Sequence, residues 1–260
     1  MASSIRQPNR DFGIDVALGR VRDTNNRPWL NTGKFGANPN VTTTPAGLWF
    51  NGGPFNFPTS PQRVRVRAGG NVNDTAAGSG ARTLEIIGIN SNLKISSEIL
   101  TLAGASASAY SEQTWWRVYR SRVFTTGTYG GVNAGNIIVE NETDAVILNN
   151  IGAGKSRSQF GSITTPDDYT ASIEHVILGV QGTREVTFNL FSREGITTVS
   201  GDMRPIELRR DFNRVPAGLH DIDLPAPLIF PPLTDIFFLV NTATGNSEAS
   251  GSMSVTFIPT

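Results

Sequence analysis

The sequence predicts an all-β protein, with antiparallel β-sandwich or jelly-roll-like domains behind an extended N-terminal arm. Three observations carry the prediction. Turn-formers are abundant, with 27 Gly and 15 Pro among 260 residues, as in β proteins with many connections. A hairpin pattern sits at Asn71–Leu102: a small-residue turn, then two β-rich runs, Arg82–Ile89 and Leu93–Leu102, joined by Asn90-Ser91-Asn92; a short polar loop between such runs joins antiparallel strands. Clean apolar–polar alternation then recurs from Thr165 onward, the period of half-buried strands.

Four segments follow from these patterns: an arm over 1–60, a β-sandwich-like domain over 61–150, a linker over 151–165 and a jelly-roll-like sandwich over 166–260. In the arm, Pro, Gly and Asn recur every few residues, which prevents long helices and leaves room for short strands, as at Ile14–Val21. Its aromatics Trp29, Phe35, Trp49, Phe50, Phe55 and Phe57 are too many for a disordered tail. They are expected to dock on another surface, either the chain's own domain or a neighbouring subunit.

In the first β domain, Arg63, Arg65 and Arg67 alternate with Val64 and Val66. They form a solvated strand face or a contact to an acidic partner. In the hairpin, Arg82–Ile89 is apolar on both faces, as a central strand. Leu93, Ile95 and Ile99 share one face of the next run while Lys94, Ser96 and Glu98 share the wet one. The run Thr114–Phe124 interleaves Trp115, Trp116 and Tyr119 with Arg117, Arg120 and Arg122. A stacking platform for single-stranded nucleic acid has such a composition, but so do strands at a subunit contact, and zero net charge favours the second. Asn149–Ser156 imitates a phosphate-binding loop with Gly152, Gly154, Lys155 and Ser156. The residues after it make no helix to hold a phosphate, so the segment is taken as linker.

In the second domain, Ile173, His175 and Ile177 are expected on one face, and Val186, Phe188 and Leu190 on another. Ile206, Leu208 and Phe212 share a parity. Pro225, Pro227, Pro231 and Pro232 break the chain after Leu219–Leu224. Ile236–Val240 is central, and Met253, Val255 and Phe257 form the dry side of a last strand. Asp167, Asp168, Asp221 and Asp223 sit at turn edges, where Asp is common.

Composition narrows the function. With 22 basic and 22 acidic residues, no global field draws the chain to nucleic acid or to an anionic membrane. There is no Cys and only two His, His175 and His220, so no thiolate, disulfide or multi-His metal site is expected, and no cofactor. The segment MASSIRQPNRDFG has no hydrophobic core, and no apolar run has membrane-spanning length.

Several segments resemble a family of tailed-bacteriophage virion proteins. These are Lys34–Val41; Leu48–Gly53 through Thr59, matching an aromatic–glycine patch; Asn73–Asn90, matching "DTAAGTGAR" and a strand; Ser97–Gly104; Asn133–Val139, opening on "NAG"; Pro166–Ala171; and Pro227–Ile236. Asn51 and Ile89-Asn90 depart from the pattern. The resemblance implies a non-enzymatic particle component, assembled in the bacterial host cytoplasm, and brings no catalytic residues. It points to a capsid decoration or cement protein, with a neck, tail or baseplate adaptor as the alternative. A carbohydrate-binding or carbohydrate-degrading jelly roll on the tail is the rival of another class. The expected partners are other virion proteins and further copies of the chain, as a trimer, through the arm aromatics, the three Arg of 63–67, and Trp115 and Trp116.

Overall fold

The computed structural model describes residues 12–69, 71–128, 130–143, 145–197 and 205–260. In chain order it contains α1 (Phe12–Ala17), β1 (Leu30–Val41), β2 (Ala46–Gly47), β3 (Val64–Arg67), β4 (Ala81–Asn90), β5 (Ile95–Thr101), β6 (Trp115–Thr126), β7 (Ile137–Asn141) and β8 (Ile147–Ile151). There follow β9 (Ser162–Thr164), β10 (Tyr169–Gln181), β11 (Val186–Arg193), β12 (Glu207–Val215), β13 (Gly218–Phe230), β14 (Asp235–Thr242) and β15 (Ser247–Pro259). Where Ile14–Val21 was expected as a strand, Phe12–Ala17 is helical, with the Leu18 amide donating to the Ile14 carbonyl.

Two four-stranded paths make a jelly roll. One sheet has the order β1-β15-β10-β13, and the other has the order β12-β11-β14-β2, with β9 also on β14. Every pairing is antiparallel. From β9 to β15 the chain changes sheet at every step except β11 to β12, as in the two Greek keys of a jelly roll. Between them lie Val176, Leu178 and Val255 from one sheet and Phe188, Leu190, Phe238 and Val240 from the other. The second sandwich packs β3-β7-β8 against β5-β4-β6 over Val64, Val66, Ile137 and Val139 on one side and Leu84, Ile86 and Leu100 on the other.

The second sandwich is an insertion. It occupies the connection between β2 and β9, so the jelly roll is built from residues 30–47 together with 162–259. The expected extended arm is therefore corrected over this stretch. β1 pairs with β15 from Leu30↔Phe257 to Val41↔Ser247, and Val41, Leu48 and Trp49 are fully buried. The prolines and glycines there punctuate short strands instead of releasing a tail. Residues 151–165 are likewise no free linker. Phe160 is core, β9 pairs with β14, and the Phe160 amide donates to the Phe35 carbonyl, beside the free edge of β1. An edge strand with open amides invites foreign pairing, and this segment covers it.

Several expected faces change. β4 is central, as its doubly apolar pattern predicts, but β5 turns the other way. Ile95 and Ile99 are exposed, while Glu98 accepts from the backbone N–H groups of Glu112 and Gln113 at 2.7 and 3.1 Å. The 112–113 loop supplies Glu98 with donors, so the carboxylate takes the inner position and the isoleucines the outer one. In β10 the ladder slips between Ile173 and His175. Ile173 faces the core; His175 and Ile177 face outward, with Val176 and Leu178 buried between them. Opposite that slip, β13 runs on through Pro225 and Pro227. The ladder jumps from Asp223 to Leu228 across them, on an edge strand where a proline forfeits no central hydrogen bond. A slip between Leu190 and Phe191 splits β12, burying Phe212 and exposing Leu208.

Candidate functional site: the seam and the outer groove

The turns around Asp74, Asn133 and Gly52 build structural knots. Asp74 is fully buried. Its carboxylate accepts the N–H groups of Ala81 at 2.7 Å, Ala134 at 2.9 Å and Gly135 at 2.7 Å. The "DTAAGSGAR" turn and the "NAG" turn are thus one unit, though far apart in sequence. Gly80 leaves the room this needs, since a Cβ there would overlap the Asp74 carboxylate. Asn133 continues the knot: its Nδ2 donates to the carbonyls of Gly135 and Gly152, and its Oδ1 accepts from the Ser156 amide at 2.8 Å. In the aromatic–glycine patch, Gly52 and Gly53 have φ of +65° and +70°, a left-handed turn costly for other residues. The turn lets Trp49 Nε1 donate to the Gly53 carbonyl at 3.2 Å.

The phosphate-loop mimic has its amides already engaged. The Ala153 N–H donates to Asn136 Oδ1, the Gly154 N–H to the Asn133 carbonyl, and the Ser156 N–H to Asn133 Oδ1. A phosphate cradle needs such groups free. Lys155→Ala is expected to shift stability by less than ~0.5 kcal/mol, as at other exposed positions, read by chemical denaturation. A shift above about 1 kcal/mol would show that Lys155 carries structural weight in the loop.

Most of the expected contact residues serve the chain's own interior. Trp115 and Trp116 are neighbours on β6 and face opposite ways. Trp115 lies in the core of the inserted sandwich, and Trp116 joins the jelly-roll core with Tyr119. They tie the two cores together and are not free to meet a partner or a base. Trp49, Phe55 and Phe160 form an edge-to-face cluster, with centroids 5.6 Å apart for Trp49–Phe160 and 4.9 Å for Phe55–Phe160. Trp29, Phe50 and Phe57 are half-buried, and Phe35 is exposed. The acidic partner expected for the arginines is β7 of the same chain and the residue after it: Glu140 takes Arg65 and Arg67, and Glu142 takes Arg63.

Where the sandwiches meet, three charges are buried. Arg117 on β6 holds Asp235 on β14 through two hydrogen bonds of 2.8 Å, and Arg193 on β11 adds a third at 3.0 Å. Thr164 on β9 donates to the same carboxylate at 2.7 Å. Phe57 stacks on both guanidinium groups, 5.0 and 4.9 Å from its ring centre. Burial alone would raise the Asp235 carboxyl; Arg117, Arg193 and Thr164 together outweigh it and hold the group below the usual carboxylate range. This cluster is a lock between the domains, and the sequence carried no visible signal for it. The two Arg and the Asp lie on three strands that only the fold brings together.

On the outer face of the β1-β15-β10-β13 sheet lies a cavity of about 550 Å³. Its floor includes His175, Ile177, Ser252 and Ser254, and its far wall is the inserted domain's Arg120 and the 155–159 segment. A smaller hollow of about 280 Å³ continues it past Phe35 and Gln159 toward Ser250. Asp167 and Asp168 pair with Lys94, and Asp221 pairs with His175 at the cavity edge. Among the described residues no group of three or more acidic, His or Cys side chains is placed to hold a metal, and no helix is long and apolar enough to cross a membrane.

No protein-family model matches this chain, and neither does any curated protein. Among solved structures, it is similar to a chain of the infectious bursal disease virus Gt strain, at 12% identity and a TM-score of 0.25, over 88% of this chain and 72% of that one. The Gx strain gives 11% identity and a TM-score of 0.25 over 88% and 71%. The VP2 subviral particle of the same virus gives 13% and 0.24 over 88% and 72%. At these scores nothing about this chain's role or partners follows from the likeness.

Proposed function

We propose that this chain is a non-enzymatic structural component of a tailed-phage virion, a capsid decoration protein that acts through contacts between subunits. The observation that carries the reading is the open side of the jelly roll. Among the described residues, β12 and β13 are edge strands of their sheets with no partner on the outer side, and they follow each other in the chain. They meet on one side, where Arg209 of β12 lies 4.9 Å from the centre of the Phe230 ring of β13. This side exposes Ile206, Leu208, Leu219 and Ile229. Two free edges with apolar side chains are a liability in a monomer and an interface in an assembly. The segments that resemble phage virion proteins support the setting. A closed oligomer covers such edges, and the threefold axes of shells favour a trimer. Nucleic acid, membrane and cofactors have no part in this reading.

Light scattering of the purified protein tests it. The wild type is expected to be an oligomer that withstands chelator, and the double variant Leu208→Asp, Ile229→Asp a monomer. Its unfolding free energy should stay within ~1 kcal/mol of the wild type, because both positions are exposed. A wild-type monomer at micromolar concentration would overturn the reading. Copy number in purified virions then separates a shell protein, present in hundreds, from a tail component.

A further inference from the structure

We infer that the cavity on the outer face of the β1-β15-β10-β13 sheet binds a small organic anion, recognised through its carboxylate or phosphate group by Arg120, Lys155 and Arg157. The chain as a whole is neutral, yet four cationic side chains, these three and Lys34, line this one cavity, and no Asp or Glu does. Among the described residues none of the four has an ion-pair partner, whereas Arg63, Arg65, Arg67, Arg117 and Arg193 are all matched to carboxylates.

The cations are held there at a cost. Lys34 is buried and donates to the Tyr119 carbonyl, with its ammonium 5.3 Å from the ring centres of Tyr119 and Phe160. Burial, then Arg120 and Arg157, push its pKa well below the usual lysine value. Burial and Arg157 likewise work against the charge of Arg120. Arg120 is fixed by one nitrogen, which donates to Thr32 Oγ1 at 2.7 Å and to the Gly33 carbonyl at 2.9 Å. Like charges gathered in a half-enclosed site repel one another until an anion enters, and the anion then gains charge-assisted hydrogen bonds.

The rest of the cavity suits a small molecule. Its volume of about 550 Å³ falls within the range of roughly 300–1,000 Å³ usual for such ligands. Phe35 offers an exposed ring, and Ser252, Ser254 and Gln159 offer neutral hydrogen-bonding groups. His175 is taken by Asp221 at the edge, which places the negative charge at the rim and leaves the basic wall free. The inserted sandwich supplies that wall, so the site exists only because the two units are joined.

Titration calorimetry of the full chain with glucuronate, inorganic phosphate and glucose tests the inference. Glucuronate, phosphate or both should bind, and glucose should not. The double variant Lys155→Ala, Arg157→Ala alters exposed side chains and should fold normally. It should bind the anion about tenfold more weakly or worse, as expected when charge-assisted contacts are lost. Binding of phosphate alone would assign the site to phosphates, and binding of glucuronate alone to carboxylates. Failure of both anions to bind, equal binding of glucose, or an affinity unchanged in the folded double variant would each overturn the inference.

Discussion

Replacing Asp235 with Asn is expected to cost about 3–5 kcal/mol of stability, the range found when one partner of a buried ion pair is removed. Asn keeps the shape and removes the charge. Arg117, 5% exposed beneath Phe57, then loses the carboxylate that takes two of its hydrogen bonds. The loss is a large share of the ~5–15 kcal/mol that holds a domain folded. Denaturant unfolding measures it, and a cost below about 1 kcal/mol would show that the lock contributes little. The acid limb of the stability curve gives a second reading. The folded-state pKa of Asp235 is depressed, so its contribution is fully present above its unfolded value of roughly 3.9. That contribution is lost only as pH falls through the lower folded value. The variant's stability should therefore depend less on pH at the acid end than that of the wild type.

Asp74→Ala is expected to lose at least about 3 kcal/mol. Three backbone N–H groups would lose their common acceptor at once, each costing roughly 1–3 kcal/mol when left unpaired in the interior. Asp74→Asn should be milder, because one oxygen can still serve Ala81 and Ala134 while the new amide opposes the Gly135 N–H. Thermal unfolding of the two variants checks the order. A result in which Ala is as stable as the wild type would mean that solvent or another group takes over the three amides.

The alternation of apolar and polar residues made the strands legible, and the hairpin of β4 and β5, the central β14 and the half-wet β15 lie where the pattern places them. Faces failed where the ladder slips. One extra residue at Glu174 reverses the parity of all that follows, and the sequence around His175 carries no mark of it. The inner position of Glu98 depended on donors from a loop more than ten residues away. The first sixty residues misled for a different reason. Their prolines and glycines describe local geometry faithfully, but the partner that makes β1 a strand is β15, more than two hundred residues away in sequence. Of the candidate contact residues, the aromatics were noticed for their size, which is also what qualifies Trp49, Trp115 and Trp116 for a core. The basic cavity was not legible at all, since Lys34, Arg120 and Arg157 converge only after the inserted sandwich is set against the sheet.

The position of that insertion has a consequence for how the protein is made. On a ribosome, β3 to β8 have all been synthesised before β10 exists, and they pair only among themselves, from β4 with the adjacent β5 to β3 with β7. The inserted sandwich can therefore fold early, on loops shorter than the one that β1 and β15 must close. β1 has the opposite fate: its ladder opens on Leu30↔Phe257, so it waits unpaired while more than two hundred intervening residues are made. Such a strand is exposed to wrong partners for as long as it waits. The jelly roll closes last, and the earliest moment at which β1 can find its neighbour is when β15 leaves the exit tunnel.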